Sequence, residues 1–193
     1  MLNQILLFLL DTFLGLFAIA LLLRFWLQTL RAPLRNPLYG FLAALTDWIV
    51  KPARRVIPGM FRVDLSTLVL AWLTQVVLMF ATFALRGAGL GPALGAGLVT
   101  VLLVAAVEVL KLSLYILMFS TIAQALLTWV APYSPAMPLL NSLTRPFLSP
   151  LQRRIPPVGN VDLSPLFLIV IIQLLLFGVN GLEGAIVRGA GPG

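Results

Sequence analysis

Three charged residues lie within otherwise apolar segments, and their types and spacing could support chemistry inside a membrane. Glu108 and Lys111 are three positions apart, so on a helix they can pair on one face. Asp11 corresponds to position 109 in the internal repeat described below, at the depth of that pair. Charges at mid-membrane are costly and usually mark a pathway or a binding site. The alternative is that all three residues lie near the outer interface and are solvated.

Other kinds of reaction centre are poorly supported, because the chain contains no cysteine and no histidine. Without them there is no thiolate nucleophile, no Ser-His-Asp triad, no histidine haem ligand and no Cys/His zinc site. The six carboxylates are scattered singly along the sequence. We therefore expect no enzymatic activity, no cofactor and no bound metal.

The composition indicates a membrane protein. Of 193 residues, 61% are hydrophobic and 10% are charged, whereas soluble domains carry roughly 25% charged residues. Residues 65–85, 112–131 and 164–182 contain no charge. Each run is long enough to cross the hydrocarbon core as a helix. The first apolar segment is predicted to be a retained span, because no basic residue precedes it and no cleavage site follows it.

An internal duplication organises the chain. Residues 52–66 read PARRVIPGMFRVDLS, and residues 150–164 read PLQRRIPPVGNVDLS. A fixed offset of 98 aligns residues 37–75 with 135–173, and 15 of these 39 positions are identical. Many of the identical residues are polar or proline, which leucine-rich composition cannot explain. The chain is therefore predicted to contain two tandem repeats.

Each repeat reads as a span, a basic loop with a short helix, and a second span. Asn36-Pro37 and Ser134-Pro135 are typical starts of a helix. The helices that follow are amphipathic and too short to span, so we expect them to lie along the membrane surface. The alternative is a loop helix packed on the bundle. Prolines are predicted to end these helices, and serines to cap the next spans: Pro52, Pro150, Ser66 and Ser164.

The predicted fold is an all-α membrane protein with two tandem parallel repeats and four main spans. The first repeat covers residues 1–86, with spans at about 2–30 and 65–85 and a surface helix at about 37–50. A Gly-rich external connection follows at 87–98. The second repeat covers 99–187, with spans at about 100–131 and 164–182, a surface helix at about 135–149 and a tail at 188–193. A helix over residues 94–131 would be about 57 Å long, so a break near Glu108 and Lys111, or a fifth span or re-entrant segment over 88–107, are alternatives.

The distribution of basic residues predicts the orientation. Ten of the 13 basic residues flank or occupy the two motif loops. Since basic loops stay in the cytoplasm, both motifs should be cytoplasmic and both termini outside. Nucleic-acid binding is disfavoured, because no soluble basic domain is present.

The repeated polar residues form a second candidate site. It comprises Arg54, Arg55, Asp64 and Ser66 in the first repeat and Arg153, Arg154, Asp162 and Ser164 in the second. We predict that Arg55 pairs with Asp64, and Arg153 with Asp162, either within a repeat or exchanged between the repeats, so that the surface helix is locked to the following span. The alternative is that the arginines face lipid phosphates while the aspartates serve only as helix caps.

Four segments carry a resemblance to a known family. LLLRFWLQ, RNPL, KPARRVIPGMFRVDLS and RPFLSPLQRRIPPVGNVDLSP resemble the YggT family of small integral membrane proteins, over nearly the whole chain. The second copy departs from the first by having Ser149 in place of Lys51, and Gln152 in place of Arg54. The resemblance implies a multi-pass protein of the bacterial plasma (inner) membrane, associated with envelope organisation, division, cofactor assembly or osmotic tolerance.

Two functions follow from these observations. The first is a membrane scaffold or assembly factor whose paired basic motifs dock a membrane-protein partner or anionic lipid headgroups, with a homo-oligomer as a further expectation. The alternative is a small channel or transporter in osmotic-stress tolerance that uses the cluster of Asp11, Glu108 and Lys111.

Overall fold

The computed structural model of the chain describes residues 1–33, 35–57, 64–86, 96–155 and 162–189, and within these ranges the secondary structure is helical. The helices are α1 (Leu2–Thr29), α2 (Pro37–Val56), α3 (Leu65–Leu85), α4 (Ala96–Val130), α5 (Met137–Gln152) and α6 (Ser164–Gly189). The predicted all-α fold is confirmed.

Four of these helices, α1, α3, α4 and α6, are long and apolar enough to cross a membrane. Helix α4 runs without a break from Ala96 to Val130, so the alternatives of a break near Glu108 and of a separate span over 96–107 are wrong. The pair of Glu108 and Lys111 lies on one face of this helix and is compatible with its continuation. Residues 88–95, the rest of the suggested fifth span, lie outside the described ranges.

The two shorter helices, α2 and α5, begin close to the predicted positions. We call them the surface helices, after the prediction that they lie along the membrane surface. Asn36 caps α2, because its Oδ1 accepts the N–H of Leu38 at 2.9 Å and Pro37 occupies the first turn. Helix α5 begins at Met137, two residues after the predicted start. Ser134 Oγ instead accepts the N–H of Ala136, at 3.3 Å, in the turn before that helix.

The predicted ends of the surface helices are wrong. Pro52 and Pro150 lie inside α2 and α5, which continue to Val56 and Gln152. A proline removes one intrahelical hydrogen bond, but its fixed φ is itself helical. Both prolines are exposed, so water can solvate the carbonyl that loses its donor. Because the helices continue past the prolines, residues 54 and 152 are helical and reach the residues just before the next span.

The two repeats pack in the same way internally. In the first, α1, α2 and α3 contact one another, and in the second α4, α5 and α6 do so. The largest cluster of buried side chains joins α1, α2, α3 and α4 around Leu21, Leu22 and Val50. The contacts between repeats are α3 with α4, α1 with α4, and α1 with α5.

One hydrogen bond joins the starts of the two surface helices. Asn36 Nδ2 donates to the carbonyl of Pro135 at 2.6 Å. Both surface helices therefore begin at the same end of the molecule, as expected for parallel repeats. We call the end that carries α2 and α5 the motif end.

Candidate functional site

An ion pair closes the first motif loop. Arg54, near the end of α2, binds Asp64, which immediately precedes α3: Nη2 lies 2.5 Å and Nε 3.2 Å from the same oxygen, Oδ2. Ser66 Oγ donates to the carbonyl of Ile57 at 2.8 Å and adds a second tie across the same loop. The surface helix is thus fixed to the following span, which is the role predicted for this motif.

The second motif loop is closed by a neutral donor. Gln152 Nε2 donates to Asp162 Oδ2 at 2.8 Å, and Asp162 Oδ1 accepts the N–H of Ser164 at 2.9 Å. Burial alone would raise the pKa of Asp162, but the hydrogen bonds from Ser164 and Gln152 outweigh it and hold the pKa below its ordinary value. Residues 54 and 152 are separated by the offset of 98, so both repeats use one position for this contact. We call the two contacts, Arg54 with Asp64 and Gln152 with Asp162, the loop clamps.

The predicted pairs of Arg55 with Asp64 and Arg153 with Asp162 are therefore wrong. Successive residues of a helix point about 100° apart, so the continuation of α2 beyond Pro52 turns Arg54, rather than Arg55, toward Asp64. Arg55, Arg153 and Arg154 are exposed, and within the described residues no ion pair involves them. Identity between the repeats led the prediction to the wrong arginine.

The predicted serine caps are also wrong. Helix α3 begins at Leu65, so Ser66 lies inside its first turn, and α6 begins at Ser164 itself. Ser66 and Ser164 are fully buried. In the second repeat the capping bond comes from Asp162, two residues before the helix-starting serine.

A buried threonine ties each surface helix to the span before it. Thr46 Oγ1 accepts a hydrogen bond from Arg24 Nη1 of α1 at 2.7 Å, and Thr144 Oγ1 bonds Gln124 Oε1 of α4. Thr46 Oγ1 also donates to the carbonyl of Leu42 at 2.7 Å, four residues earlier in its helix. The single proton of Thr144 Oγ1 goes either to Gln124 Oε1 or to the carbonyl of Leu140 at 2.8 Å, since both are acceptors. Both threonines are completely buried. We call these contacts the threonine ties.

The first threonine tie contains charged partners. Arg24, only 3% exposed, forms an ion pair with Asp47 at 2.7 Å, and Lys51 reaches the other oxygen of Asp47 at 2.8 Å. These two cations, with the hydrogen bond from Lys51 as the larger influence, hold the pKa of Asp47 below its ordinary value. The second tie is neutral, since Gln124 Nε2 donates to Asn141 Oδ1 at 2.7 Å.

Sequence reasoning missed the threonine ties. The basic residues, Arg24 among them, predicted only the orientation, and the amphipathic pattern of the surface helices assigned no partner to Thr46 or Thr144. The sequence did contain one signal for these contacts. Residues 46 and 144 are both threonine at equivalent positions of the two repeats, and the hydrophobic pattern does not explain why a polar residue is repeated there.

The intramembrane charge cluster has a different second acid from the one predicted. Lys111 Nζ lies 2.9 Å from Glu108 Oε1 on α4 and also contacts Glu183 Oε2 on α6. Lys111 is 9% exposed. Asp11 is exposed and makes no ion pair within the described residues. Glu183 was missed because α6 was expected to end near residue 182, whereas it continues to Gly189.

The cluster lies far from the motif end. Lys111 is 19 residues from the end of α4 at Val130, and Glu183 is 19 residues from the start of α6 at Ser164. Both therefore lie about 29 Å along their helices from the motif end, which is close to the thickness of a hydrocarbon core of about 30 Å. Within the second repeat, the candidate residues thus form two separate sites: the motif residues at one end and the charge cluster at the other.

These features define a class: a multi-pass helical membrane protein built from two tandem repeats, each with a surface helix fixed to its spans by polar contacts. The chain matches the model of the CCB3/YggT family over residues 3–85 and again over residues 103–182. It belongs to the CCB3/YggT family, and the two matched segments confirm the tandem repeat.

Relatives of similar length match along most of the chain. An uncharacterized protein of Pseudomonas aeruginosa is 38% identical over 177 residues, which cover 90% of this chain and 87% of that protein. A Vibrio alginolyticus protein encoded in the proC 3' region is 31% identical over 93% of this chain and 95% of its own length. Escherichia coli YggT is 29% identical over 89% of this chain and 87% of its own. No solved structure matches the chain.

Proposed function

We propose that the protein is a scaffold or assembly factor of the bacterial inner membrane, with the motif end in the cytoplasm and both termini outside. The paired basic motifs dock an acidic membrane-protein partner or anionic lipid headgroups. The orientation rests on the concentration of basic residues at the motif end.

One observation carries this proposal: the clamps use only one of the motif arginines. Arg54 is committed to Asp64, while Arg55 in the first repeat and Arg153 and Arg154 in the second remain exposed outside the clamps. The clamps therefore fix the end of each surface helix to the start of the next span, while the other arginines are exposed. Exposed guanidinium groups at the end of a fixed helix suit bidentate recognition of carboxylate or phosphate.

The surface helices fit the same proposal. Trp48 of α2 is 68% exposed, and its ring lies 5.9 Å from that of Phe17 on α1. Tryptophan favours the boundary between hydrocarbon and headgroups, so α2 would lie at that boundary, with Lys51, Arg54 and Arg55 in its last two turns. Arg55, which lies outside the clamp, would then be at the height of the headgroups.

A cross-linking pull-down from native membranes tests the proposal. Wild type is compared with the double variant Arg55→Gln, Arg153→Gln and with a matched double variant at the other end, Arg86→Gln, Arg188→Gln. We expect a partner or retained anionic lipid to be lost from the first variant and kept in the second. Identical captured material from all three proteins would contradict docking through the motif arginines.

The second candidate function, a small channel or transporter in osmotic-stress tolerance, is favoured by the cluster of Glu108, Lys111 and Glu183. A charge cluster between spans marks a pathway in many transporters. Flux of ions or small solutes through purified protein in liposomes tests this function, with Lys111→Ala and Glu183→Gln as variants. Selective flux that both variants abolish would support a channel and contradict the scaffold, while absence of flux in the wild type would reject the channel.

A further inference from the structure

The two repeats contact each other through different, non-equivalent surfaces. Helix α5 of the second repeat packs on the end of α1 in the first, where Leu139 and Leu143 form a buried cluster with Leu27 and Ala32. Helix α2, the equivalent of α5, packs on α1 and α3 of its own repeat. Each repeat therefore presents a different surface to the other, and a contact of this kind is heterologous.

The surfaces equivalent to this contact are exposed. The offset of 98 maps Leu139 and Leu143 onto Phe41 and Leu45 of α2, which are 67% and 45% exposed. It maps Ala32 onto Val130 at the end of α4, which is 81% exposed. Both halves of a second, equivalent contact are thus exposed, one on α2 and one on α4, and these two helices do not contact each other within the described residues.

A glutamine that occurs at equivalent positions of the two repeats shows the same asymmetry within the spans, because one copy is buried and the other is exposed. Gln75 of α3 is 5% exposed, and the neighbouring Val76 packs against Val101 and Ala105 of α4 in the other repeat. Its counterpart, Gln173, lies in the middle of α6 and is exposed. Exposed apolar residues on a span are expected to face lipid, but an amide facing hydrocarbon is unfavourable unless another helix covers it.

We propose that a second copy of the chain covers these surfaces by repeating the contact between the repeats. Helices α1 and α2 of one copy pack against α6 and the end of α4 of the other. In this arrangement Phe41 and Leu45 lie against Val130 of the other copy, and Gln173 is covered by its α1. Two copies that make this contact twice close into a ring of four repeats, with no free heterologous surface left.

Cross-linking between singly substituted chains tests the contact directly, because the natural chain has no cysteine. One tagged copy carries Phe41→Cys and a differently tagged copy carries Val130→Cys, and the two are co-expressed and treated with a short thiol cross-linker in the membrane. We expect a product that carries both tags. The matched control replaces Val130→Cys by Leu175→Cys on α6, since its counterpart Val77 stays exposed although α3 packs on the other repeat, which puts this position outside the contact between repeats.

The mass of the purified protein provides the second measurement. Light scattering in mild detergent should give at least twice the chain mass of 21.0 kDa for wild type and for Leu175→Ala. Gln173→Leu should shift the association midpoint about fivefold or more toward higher protein concentration without loss of helical content. Cross-linking no stronger than the Leu175 control, together with a monomeric mass in wild type, would overturn the proposal.

Discussion

At the scale of single residues, the threonine ties connect the surface helices to the spans through one hydroxyl each. Thr46 and Thr144 are fully buried, and each bonds a polar side chain about 20 positions earlier in the sequence. Loss of the hydroxyl would remove that partner from Arg24, which is buried, or from Gln124, which is partly buried. A buried polar group without its partner costs about 1–3 kcal/mol.

We therefore expect Thr46→Val and Thr144→Val each to lower the free energy of unfolding by about 1–3 kcal/mol. Thermal unfolding in detergent, followed by tryptophan fluorescence, measures the effect. Thr82→Val is the control, because Thr82 Oγ1 bonds only the carbonyl of Leu78 in its own helix. Equal losses in all three variants would mean that the ties add nothing beyond a helical threonine.

The loop clamps predict a gain of stability in the second repeat. Gln152→Arg recreates there the ion pair that Arg54 makes with Asp64. Residues 152 and 162 are both exposed, so the gain should not exceed about 1 kcal/mol, and added salt should reduce it. Arg153→Gln should leave the unfolding temperature unchanged. A loss of stability in Arg153→Gln, with no gain in Gln152→Arg, would show that the clamp uses Arg153 instead.

The lowered pKa of Asp47 predicts how stability depends on pH. Its folded pKa lies below the ordinary value of 3.8, so the ion pairs with Arg24 and Lys51 stabilise the fold fully above about pH 4. This stabilisation is lost as the pH falls through the folded pKa. The unfolding temperature of wild type should exceed that of Asp47→Asn at pH 5–8, and the difference should shrink below pH 4. A constant difference down to pH 3 would contradict this account.

At the scale of helices, periodicity and charge-free runs predicted the spans well. The starts of α3 at Leu65 and α6 at Ser164 agree with the charge-free runs 65–85 and 164–182, and Asn36 followed from capping chemistry. The ends of α2 and α6 did not follow. An exposed proline does not stop a helix whose apolar face is already packed, and α6 continues past residue 182, where Glu183 contacts Lys111 on another helix. Contacts with distant helices decided these positions, and such contacts leave no local signal in the sequence.

The charge cluster should hold the last turns of α6 in place. Lys111→Gln leaves two carboxylates without their cation, so we expect hydrogen exchange over residues 180–189 to become faster. The double change Lys111→Leu, Glu183→Leu should restore protection, because apolar replacement of a buried pair is often neutral or stabilising while removal of one partner is not. Exchange that is unchanged in the single variant would show that α6 needs no help from α4 at this end.

At the scale of the whole molecule, the hydrogen bond from Asn36 to Pro135 joins the two repeats at the motif end. Asn36 has two roles, since its oxygen caps α2 and its nitrogen makes this bond. The equivalent residue in the second repeat is Ser134, which can cap a helix but has no amide donor. The two roles can therefore be separated by one substitution.

Asn36→Ser should keep the cap of α2 and lose the bond between the repeats. We expect a loss of about 0.5–1.5 kcal/mol in the free energy of unfolding and faster hydrogen exchange at residues 137–140, with residues 38–41 unaffected. Equal increases in exchange at the starts of α2 and α5 would indicate that the serine has failed as a cap instead.

The three helices of each repeat all contact one another, and this has a consequence for biosynthesis. Helices α1, α2 and α3 contact one another, and no residue beyond position 86 is needed for the first loop clamp or the first threonine tie. The amino-terminal half can therefore assemble in the membrane while the ribosome is still translating the rest, as whole units often do. Helix α4 then inserts beside an already formed partner, and the contact of Asn36 with Pro135 closes only after most of the chain has been made.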